Sequence, residues 1–177
     1  MHLILLPGNS KSNKTWIEEI RVVLSPSFKT SKSMEYRHWE DDEYSMIDLD
    51  HELDNLQLLT RDFDGDYVIF AKSAGALLAL KGIYEKKINP VKCIFVGTAV
   101  LWALSRQAPV EVWLTGYSTP TLFIQHSLDK AMYFEELKRF LELANVQNSK
   151  LVELHGASHH YPEIEKLKEL TLDFLVT

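Results

Sequence analysis

Hydrophobic residues along this chain form short runs that are separated by longer stretches with helical periodicity. Five runs without polar alternation occupy His2–Leu6 and residues 67–71, 93–96, 121–125 and 151–154. Such runs are typical of strands buried on both faces, as in a parallel sheet. A sixth strand is predicted at residues 34–39. The acidic run at residues 40–43 follows it, and we interpret that run as an exposed loop rather than a metal site.

Helical periodicity fills the intervals between several of these runs. Apolar residues recur at steps of three and four after residue 73, across residues 131–145, and again across residues 164–174. Strands and helices in alternation predict βα units with right-handed crossovers. We therefore expect an α/β fold, with a mostly parallel central sheet of about six strands and helices on both faces.

Composition narrows the class of protein. The chain has 177 residues, of which 46% are hydrophobic, and this suits one domain spanning residues 1–177. A formal net charge of −6 argues against a nucleic-acid partner. The apolar run at His2–Leu6 is too short for a signal peptide or a membrane span, and Cys93 has no second cysteine to pair with. We expect a cytoplasmic protein without a membrane partner, and no feature identifies a protein partner.

The candidate nucleophile lies between a predicted strand and a predicted helix. The segment Ala71-Lys72-Ser73-Ala74-Gly75 matches the G-x-S-x-G pattern, with alanine at the first glycine position. A serine on so sharp a turn needs small residues two positions before and after it. The alternative interpretation is that Ser73 only caps the following helix. Lys72 is interpreted as an exposed residue that either steers an anionic substrate or has no role.

Two further polar residues follow predicted strands. Asp129 ends the segment 120–129, and either it orients a histidine or it caps the next helix. His159 lies after the strand predicted at 151–154, and imidazole takes up and releases protons near neutral pH. The adjacent His160 is a competing candidate for the same task.

These segments, together with Pro7-Gly8-Asn9 after the first strand, resemble the α/β-hydrolase superfamily over nearly the whole chain. The order serine, aspartate, histidine is the one that this family uses. The resemblance implies a catalytic triad of Ser73, Asp129 and His159, since His159 fits the family's G-x-x-H pattern. It also implies that the backbone N–H groups of Asn9 and Ala74 form the oxyanion hole.

Within the superfamily the chain most resembles short serine hydrolases with little lid, such as the retinoblastoma-binding serine hydrolases and small dienelactone-hydrolase-like proteins. This implies a carboxylesterase that acts on small or short-chain esters through an acyl-enzyme on Ser73, with thioesters and amides as alternatives. Ala71 and His126 depart from the family's usual glycines. They keep a non-catalytic binding protein of the same fold as a further alternative.

The segment 98–119 is rich in apolar residues and is expected to supply a small apolar pocket or rim for the ester. Its shortness predicts a shallow, accessible site. No cofactor or metal is expected, because the sequence has no G-x-G-x-x-G after a strand, no P-loop and no zinc-type spacing of histidine and cysteine.

Overall fold

Strands and helices alternate along the chain, as the hydrophobic pattern predicts. A computed structural model describes residues 1–40 and 46–177, so residues 41–43 of the acidic run lie outside the described residues. The strands are β1 (His2–Leu6), β2 (Thr30–Ser33), β3 (Tyr67–Lys72), β4 (Lys92–Val96), β5 (Thr121–His126) and β6 (Ser149–Leu154). The helices are α1 (Asn13–Leu24), α2 (Leu49–Arg61), α3 (Ala74–Tyr84), α4 (Val100–Leu104), α5 (Val110–Leu114), α6 (Phe134–Leu143) and α7 (Ile164–Val176).

The six strands form one sheet in the order β2-β1-β3-β4-β5-β6, and every neighbouring pair is parallel. The chain leaves β1 toward one edge and then resumes on the other side of β1 with β3. This reversal places a topological switch point between the carboxyl ends of β1 and β3, where open α/β sheets bind ligands. The predicted parallel sheet is confirmed.

Each face of the sheet carries its own apolar core, because successive side chains of a strand point to opposite faces. In β1, Ile4 and Leu6 pack with helices α2 to α6, whereas Leu3 and Leu5 pack with α1 and α7. The central strands are completely buried, which explains their uninterrupted apolar sequences. The predicted helical layers on both faces are confirmed.

The predicted strand at residues 34–39 is wrong. The strand is β2, which lies just upstream as Thr30–Ser33 and forms an edge of the sheet. Its polar sequence gives no hydrophobic signal, because an edge strand is half exposed. The buried residues Met34, Tyr36 and Trp39 instead pack over the end of the sheet, with a 3₁₀ turn at Arg37–Glu40.

Other boundaries also differ from the prediction. The last strand begins at Ser149 and lies at the opposite edge, so it is only partly buried. Helix α6 is shorter than residues 131–145, since a turn follows Asp129 before the helix begins. The hydrophobic pattern predicts neither α1 nor α2. A signal for α2 exists at Asp48, whose carboxylate caps the helix by accepting from the backbone N–H groups of Asp50 and His51.

Helix α3 begins in direct contact with the carboxyl end of β1. A Cβ atom added to Gly75, in the first turn of α3, would lie 2.5 Å from the carbonyl oxygen of Leu6 and 2.6 Å from that of Pro7. Backbone atoms cannot move aside as a side chain can. The glycine therefore permits the approach that brings the loop after β1 next to the start of α3.

We expect Gly75→Ala to lower the free energy of unfolding by about 3 kcal/mol, because the added methyl group overlaps backbone atoms. Gly116→Ala is the matched control. Gly116 has φ +69° but no atom within 4 Å of an added Cβ, so only backbone strain of about 1 kcal/mol is expected there. Urea unfolding of both variants provides the measurement. Equal losses of stability would show that the close contact is unimportant.

Candidate active site

Ser73 lies on a strained turn between β3 and α3. Its backbone has φ 53° and ψ −116°, a conformation that costs a non-glycine residue about 1–3 kcal/mol. Its N–H donates to the carbonyl oxygen of Val96 at 3.0 Å, and this bond ties the turn to the end of β4. Ala71 and Gly75 flank the turn and are buried. Ser73 precedes a helix, but its side chain makes no capping hydrogen bond.

The structure brings the three predicted side chains together. The distance from His159 Nε2 to Ser73 Oγ is 2.9 Å, and His159 Nδ1 lies 2.8 Å from Asp129 Oδ2. A carboxylate only accepts hydrogen bonds, so the Nδ1–H donates to Asp129 and the Nε2 lone pair accepts the serine O–H. His160, the competing candidate, is exposed. Its ring makes no hydrogen bond to any described residue.

Asp129 is completely buried and accepts several hydrogen bonds. Besides His159, it accepts from the N–H of Ala131 at 2.9 Å and from the hydroxyl of Tyr161 at 2.8 Å. Burial alone raises the pKa of this carboxyl, but these hydrogen bonds outweigh it and hold the pKa below its usual range. Asp129 does not cap α6, which begins five residues later at Phe134. The carboxylate is therefore ionised at neutral pH.

Tyr161 supports Asp129, and the sequence does not predict this role. Its side chain is fully buried, and its hydroxyl accepts from the backbone N–H of His126 at 2.9 Å while donating to Asp129. Burial, followed by the negative charge of Asp129, raises the pKa of this phenol, so it stays protonated and remains a donor. Its backbone adopts φ 57°, which turns the side chain back toward β5. No motif in the sequence signals this arrangement.

His126 shapes the loop that carries His159. Its buried ring stacks on Tyr161, with 4.0 Å between the ring centres, and its Nδ1–H donates to the carbonyl oxygen of Ser158 at 2.5 Å. The ring also lies against Gly156, where an added Cβ would be 3.1 Å away. His126 stands where the resemblance predicts a glycine. Its ring fits there because Gly156 has no side chain.

The loop after β1 is held by residues 36–39, which lie beyond the end of β2. The carbonyl oxygen of Pro7 accepts from the Tyr36 hydroxyl at 2.9 Å. The carbonyl oxygen of Asn9 accepts from the ring N–H groups of His38 and Trp39, both at 2.8 Å. These bonds fix the peptide planes around Asn9 from outside the sheet.

A cavity of about 550 Å³ lies above the switch point and contains the predicted site residues Asn9, Ser73, Ala74 and His159 on its wall. Within residues 1–40 and 46–177, the backbone N–H groups of Asn9 and Ala74 have no hydrogen-bond acceptor. A larger groove of about 960 Å³ lies between α1 and β2 and contains none of the predicted site residues.

The segment 98–119 supplies one wall of this cavity, and another part of it packs in the core. Ala99, Leu101 and Trp102 line the cavity, whereas Val110 and Tyr117 are buried among the apolar residues beneath it. The remaining residues on the wall are Ser10, Asn13, Lys130 and Ala131. One side of the cavity is thus apolar, and the side nearest α1 is polar.

Lys72 is buried, so the prediction that it is exposed is wrong. The residue is only 3% exposed, and its ammonium group donates to Asn13 Oδ1 at 2.6 Å. A buried side chain at the end of a central strand cannot steer a ligand from solution. Among the described residues, no group of three or more histidine, cysteine, aspartate or glutamate side chains is arranged to hold a metal ion.

No protein-family model and no curated protein sequence match this chain. Several solved structures, however, are similar to it. The esterase Est1E from Butyrivibrio proteoclasticus, with ferulic acid bound, has a TM-score of 0.77 and 16% identity over 99% of this chain and 90% of its own. The esterase Pf2001 of Pyrococcus furiosus has a TM-score of 0.77 and 17% identity, over 98% and 81%.

A bromoperoxidase from Bacillus anthracis is also similar, with a TM-score of 0.74 and 14% identity over 99% of this chain and 92% of its own. These similarities show that the chain has the α/β-hydrolase fold, as the sequence resemblance implies. Because the fold hosts differently named enzymes, the activity must be argued from the site.

We expect Tyr161→Phe to lower the free energy of unfolding by about 2 kcal/mol, because a buried N–H and a buried carboxylate oxygen each lose a partner. The aromatic ring, and therefore its stacking on His126, is retained. Tyr84→Phe is the control, since Tyr84 is about half exposed on α3 and its loss should fall within about 0.5 kcal/mol. Chemical denaturation would measure both variants. A Tyr161→Phe variant as stable as the control would rule out this support for Asp129.

Proposed function

We propose that this protein is a serine hydrolase, most specifically a carboxylesterase that cleaves small or short-chain esters through an acyl-enzyme on Ser73. The observation that carries the proposal is the continuous chain of hydrogen bonds from Ser73 Oγ through His159 to buried Asp129, at 2.9 and 2.8 Å. The fold similarity to two esterases supports it in general terms.

The mechanism follows from the tautomer of the histidine. His159 Nε2 removes the proton from Ser73 Oγ as that oxygen attacks the ester carbonyl carbon, and Asp129 stabilises the imidazolium that forms. His159 then gives this proton to the departing alcohol. Water, activated by the same nitrogen, attacks the acyl-enzyme and releases the acid and Ser73.

The oxyanion of each tetrahedral intermediate would accept hydrogen bonds from the N–H groups of Asn9 and Ala74. Both residues line the cavity beside Ser73, and Ala74 is the first residue of α3, where N–H groups are not used within the helix. A donor in such a position contributes about 3 kcal/mol to the transition state. No step requires a metal ion or cofactor.

The walls of the cavity suit a small substrate. Its apolar wall, formed by Ala99, Leu101 and Trp102, suits a short acyl or alcohol group, whereas the opposite wall presents polar groups. Thioesters and activated amides present the same carbonyl carbon to Ser73 and remain alternative substrates. A small ester-like molecule is therefore the ligand that we propose.

We expect this protein in the cytoplasm. No helix in the described part of the chain has the length and apolarity to cross a membrane.

The alternative of a non-catalytic binding protein rested on Ala71 and His126. Ala71 lies fully buried in β3, where its single methyl group is accommodated in the core. His126 makes contacts that organise the loop of His159. Neither departure separates the three proposed catalytic side chains, so we favour an enzyme.

Reaction with a fluorophosphonate probe tests the nucleophile. We expect the folded wild-type protein to be labelled at Ser73, because the probe phosphorus traps an activated serine oxygen. Ser73→Ala should abolish labelling and lower ester hydrolysis by at least about 10³-fold. Ser118→Ala, which removes an exposed hydroxyl, is the matched control and should behave as wild type. Folded wild-type protein that resists the probe would favour the binding protein.

Acyl-chain preference tests the substrate class. With p-nitrophenyl esters from acetate to palmitate, we expect kcat/KM to be highest for the short chains, since the cavity is open and its apolar wall is formed by a few residues, among them Ala99, Leu101 and Trp102. A clear optimum at long chains would contradict the proposal of a small-ester hydrolase while leaving the nucleophile intact.

A further inference from the structure

Directly behind the proposed nucleophile lies a buried cation that the proposed mechanism does not use. Lys72 is the last residue of β3 and immediately precedes Ser73. Its ammonium group lies 2.6 Å from Asn13 Oδ1 and 5.1 Å from the centre of the Trp16 ring. Burying a charged amine is unfavourable unless it is compensated. Asn13 and Trp16 compensate it only in part, since neither carries a negative charge.

Asn13 connects Lys72 to the loop after β1. Its side-chain Nδ2 and its backbone N–H both donate to the carbonyl oxygen of Ser10, each at 2.9 Å. The same amide lies against Gly8, where an added Cβ would be 3.0 Å from Asn13 Nδ2. Asn13 therefore touches the loop on either side of Asn9, whose N–H is a proposed oxyanion donor. Lys72 fixes which end of the amide faces Ser10, because only the amide oxygen can accept from the ammonium group.

We propose that Lys72 is a positioning residue of this site, which orients the Asn13 amide so that it holds the Asn9 loop and which adds a positive charge beside the developing oxyanion. This inference rests on the proposed function. The positioning step follows from the hydrogen bonds Lys72–Asn13–Ser10. The electrostatic step follows from the contact of the ammonium group with Asn13, which lines the cavity together with Ser73, and from burial, which weakens screening by water.

The charges within the site then balance during the reaction. In the resting site, buried Asp129 is negative and Lys72 is positive. When Ser73 attacks, His159 gains a positive charge and the oxyanion a negative one, so these four charges still sum to zero. Without Lys72, the same groups would carry a net charge of −1 before the attack as well as after it. The oxyanion would then form with no buried cation to offset the charge of Asp129, which a low-dielectric environment disfavours.

This arrangement has a measurable dependence on pH. Burial lowers the pKa of Lys72 to about 8, and the negative charge of Asp129 opposes this effect only in part. The groups that face the ammonium from α1 are the neutral side chains of Asn13 and Trp16, and the charged group that acts on it is Asp129, from the loop after β5. The lysine is therefore mostly protonated at pH 7 and loses its charge under mildly alkaline conditions.

The charged lysine should lower the stability of the fold but raise the rate of the reaction. These opposite effects distinguish a positioning residue from a purely structural one. Because the folded-state pKa lies below the ordinary value of 10.5, the charged lysine disfavours folding below pH 8. That penalty is relieved as pH rises from about 8 toward 10.5. Replacing the lysine with an uncharged side chain of similar length should therefore not lower the melting temperature at pH 7, although it should lower the rate of ester hydrolysis.

The test is the steady-state hydrolysis of p-nitrophenyl acetate by Lys72→Met between pH 6 and 10, with the melting temperature measured alongside. We expect kcat to fall by about tenfold or more with little change in KM, since the loss is in the transition state rather than in binding. Wild-type kcat should decline as pH rises through about 8, and this alkaline limb should be absent in Lys72→Met. Lys72→Arg, which keeps its charge throughout the range, should retain more activity and also lack the limb.

Coupling to Asn13 tests the positioning step. If Lys72 acts through Asn13, then the double variant Lys72→Met/Asn13→Ala should be hardly slower than the slower single variant. Lys14→Met is the matched control. Lys14 is an exposed lysine on α1 that pairs with Glu35 at 2.7 Å, and its removal should leave both kcat and the alkaline limb unchanged.

The outcomes distinguish the two proposals. Wild-type protein that neither reacts with a fluorophosphonate nor hydrolyses esters overturns the proposed function and this inference with it. Labelling of wild type, lost in Ser73→Ala, together with wild-type kcat and a wild-type alkaline limb in Lys72→Met, overturns the inference alone. If Lys72→Met does not fold, then Lys72→Arg and Asn13→Ala provide the test of the inference. An alkaline limb that persists in Lys72→Arg and wild-type kcat in Asn13→Ala would also overturn the inference.

Discussion

The candidate site depends on the close approach of α3 to the carboxyl end of β1. Only a glycine at position 75 leaves room for the carbonyl oxygens of Leu6 and Pro7 against the first turn of the helix. Because β1 and β3 flank the switch point of the sheet, this contact sets Ser73 beside the loop that contains Asn9. The two proposed oxyanion donors come from chain segments that are far apart in sequence. A fixed distance between them therefore requires a rigid backbone contact rather than a flexible side-chain one.

The proposed acid and base of the site are supported from the face of the sheet that carries α1 and α7. Tyr161 donates to Asp129, and its own carbonyl oxygen accepts from the indole N–H of Trp16 at 2.7 Å. Trp16 belongs to α1, and the face of its ring lies beneath Lys72. One helix thus contacts both the support of Asp129 and the buried lysine behind Ser73. Packing of α1 on the sheet is therefore coupled to the geometry of the site at two separate points.

The sequence predicts the features that arise from local patterns. Buried strands, the small residues around Ser73, and the chain order of Ser73, Asp129 and His159 are all visible in it, and the structure brings these three side chains into hydrogen-bonding distance. It does not predict β2, because an edge strand lacks an apolar pattern. Tyr161 and the burial of Lys72 are equally invisible, since both depend on contacts between residues distant in sequence. Long-range packing, rather than local propensity, decides these features.

Several unfavourable features of the described residues coincide in one place. Ser73 and Tyr161 both adopt positive φ, and Lys72 carries a charge into the protein interior, at a cost of about 1–3 kcal/mol for each strained backbone. The two apolar cores on either face of the sheet offset these costs. Features that weaken a fold persist where they serve another purpose, and here all three lie within or directly behind the hydrogen-bonded chain from Ser73 to Asp129. Positive φ alone does not distinguish this place, since Lys86, Gln107, Asn145 and Asn148 adopt it elsewhere. The buried charge of Lys72 directly before Ser73 is the feature that argues for a role in chemistry rather than in stability.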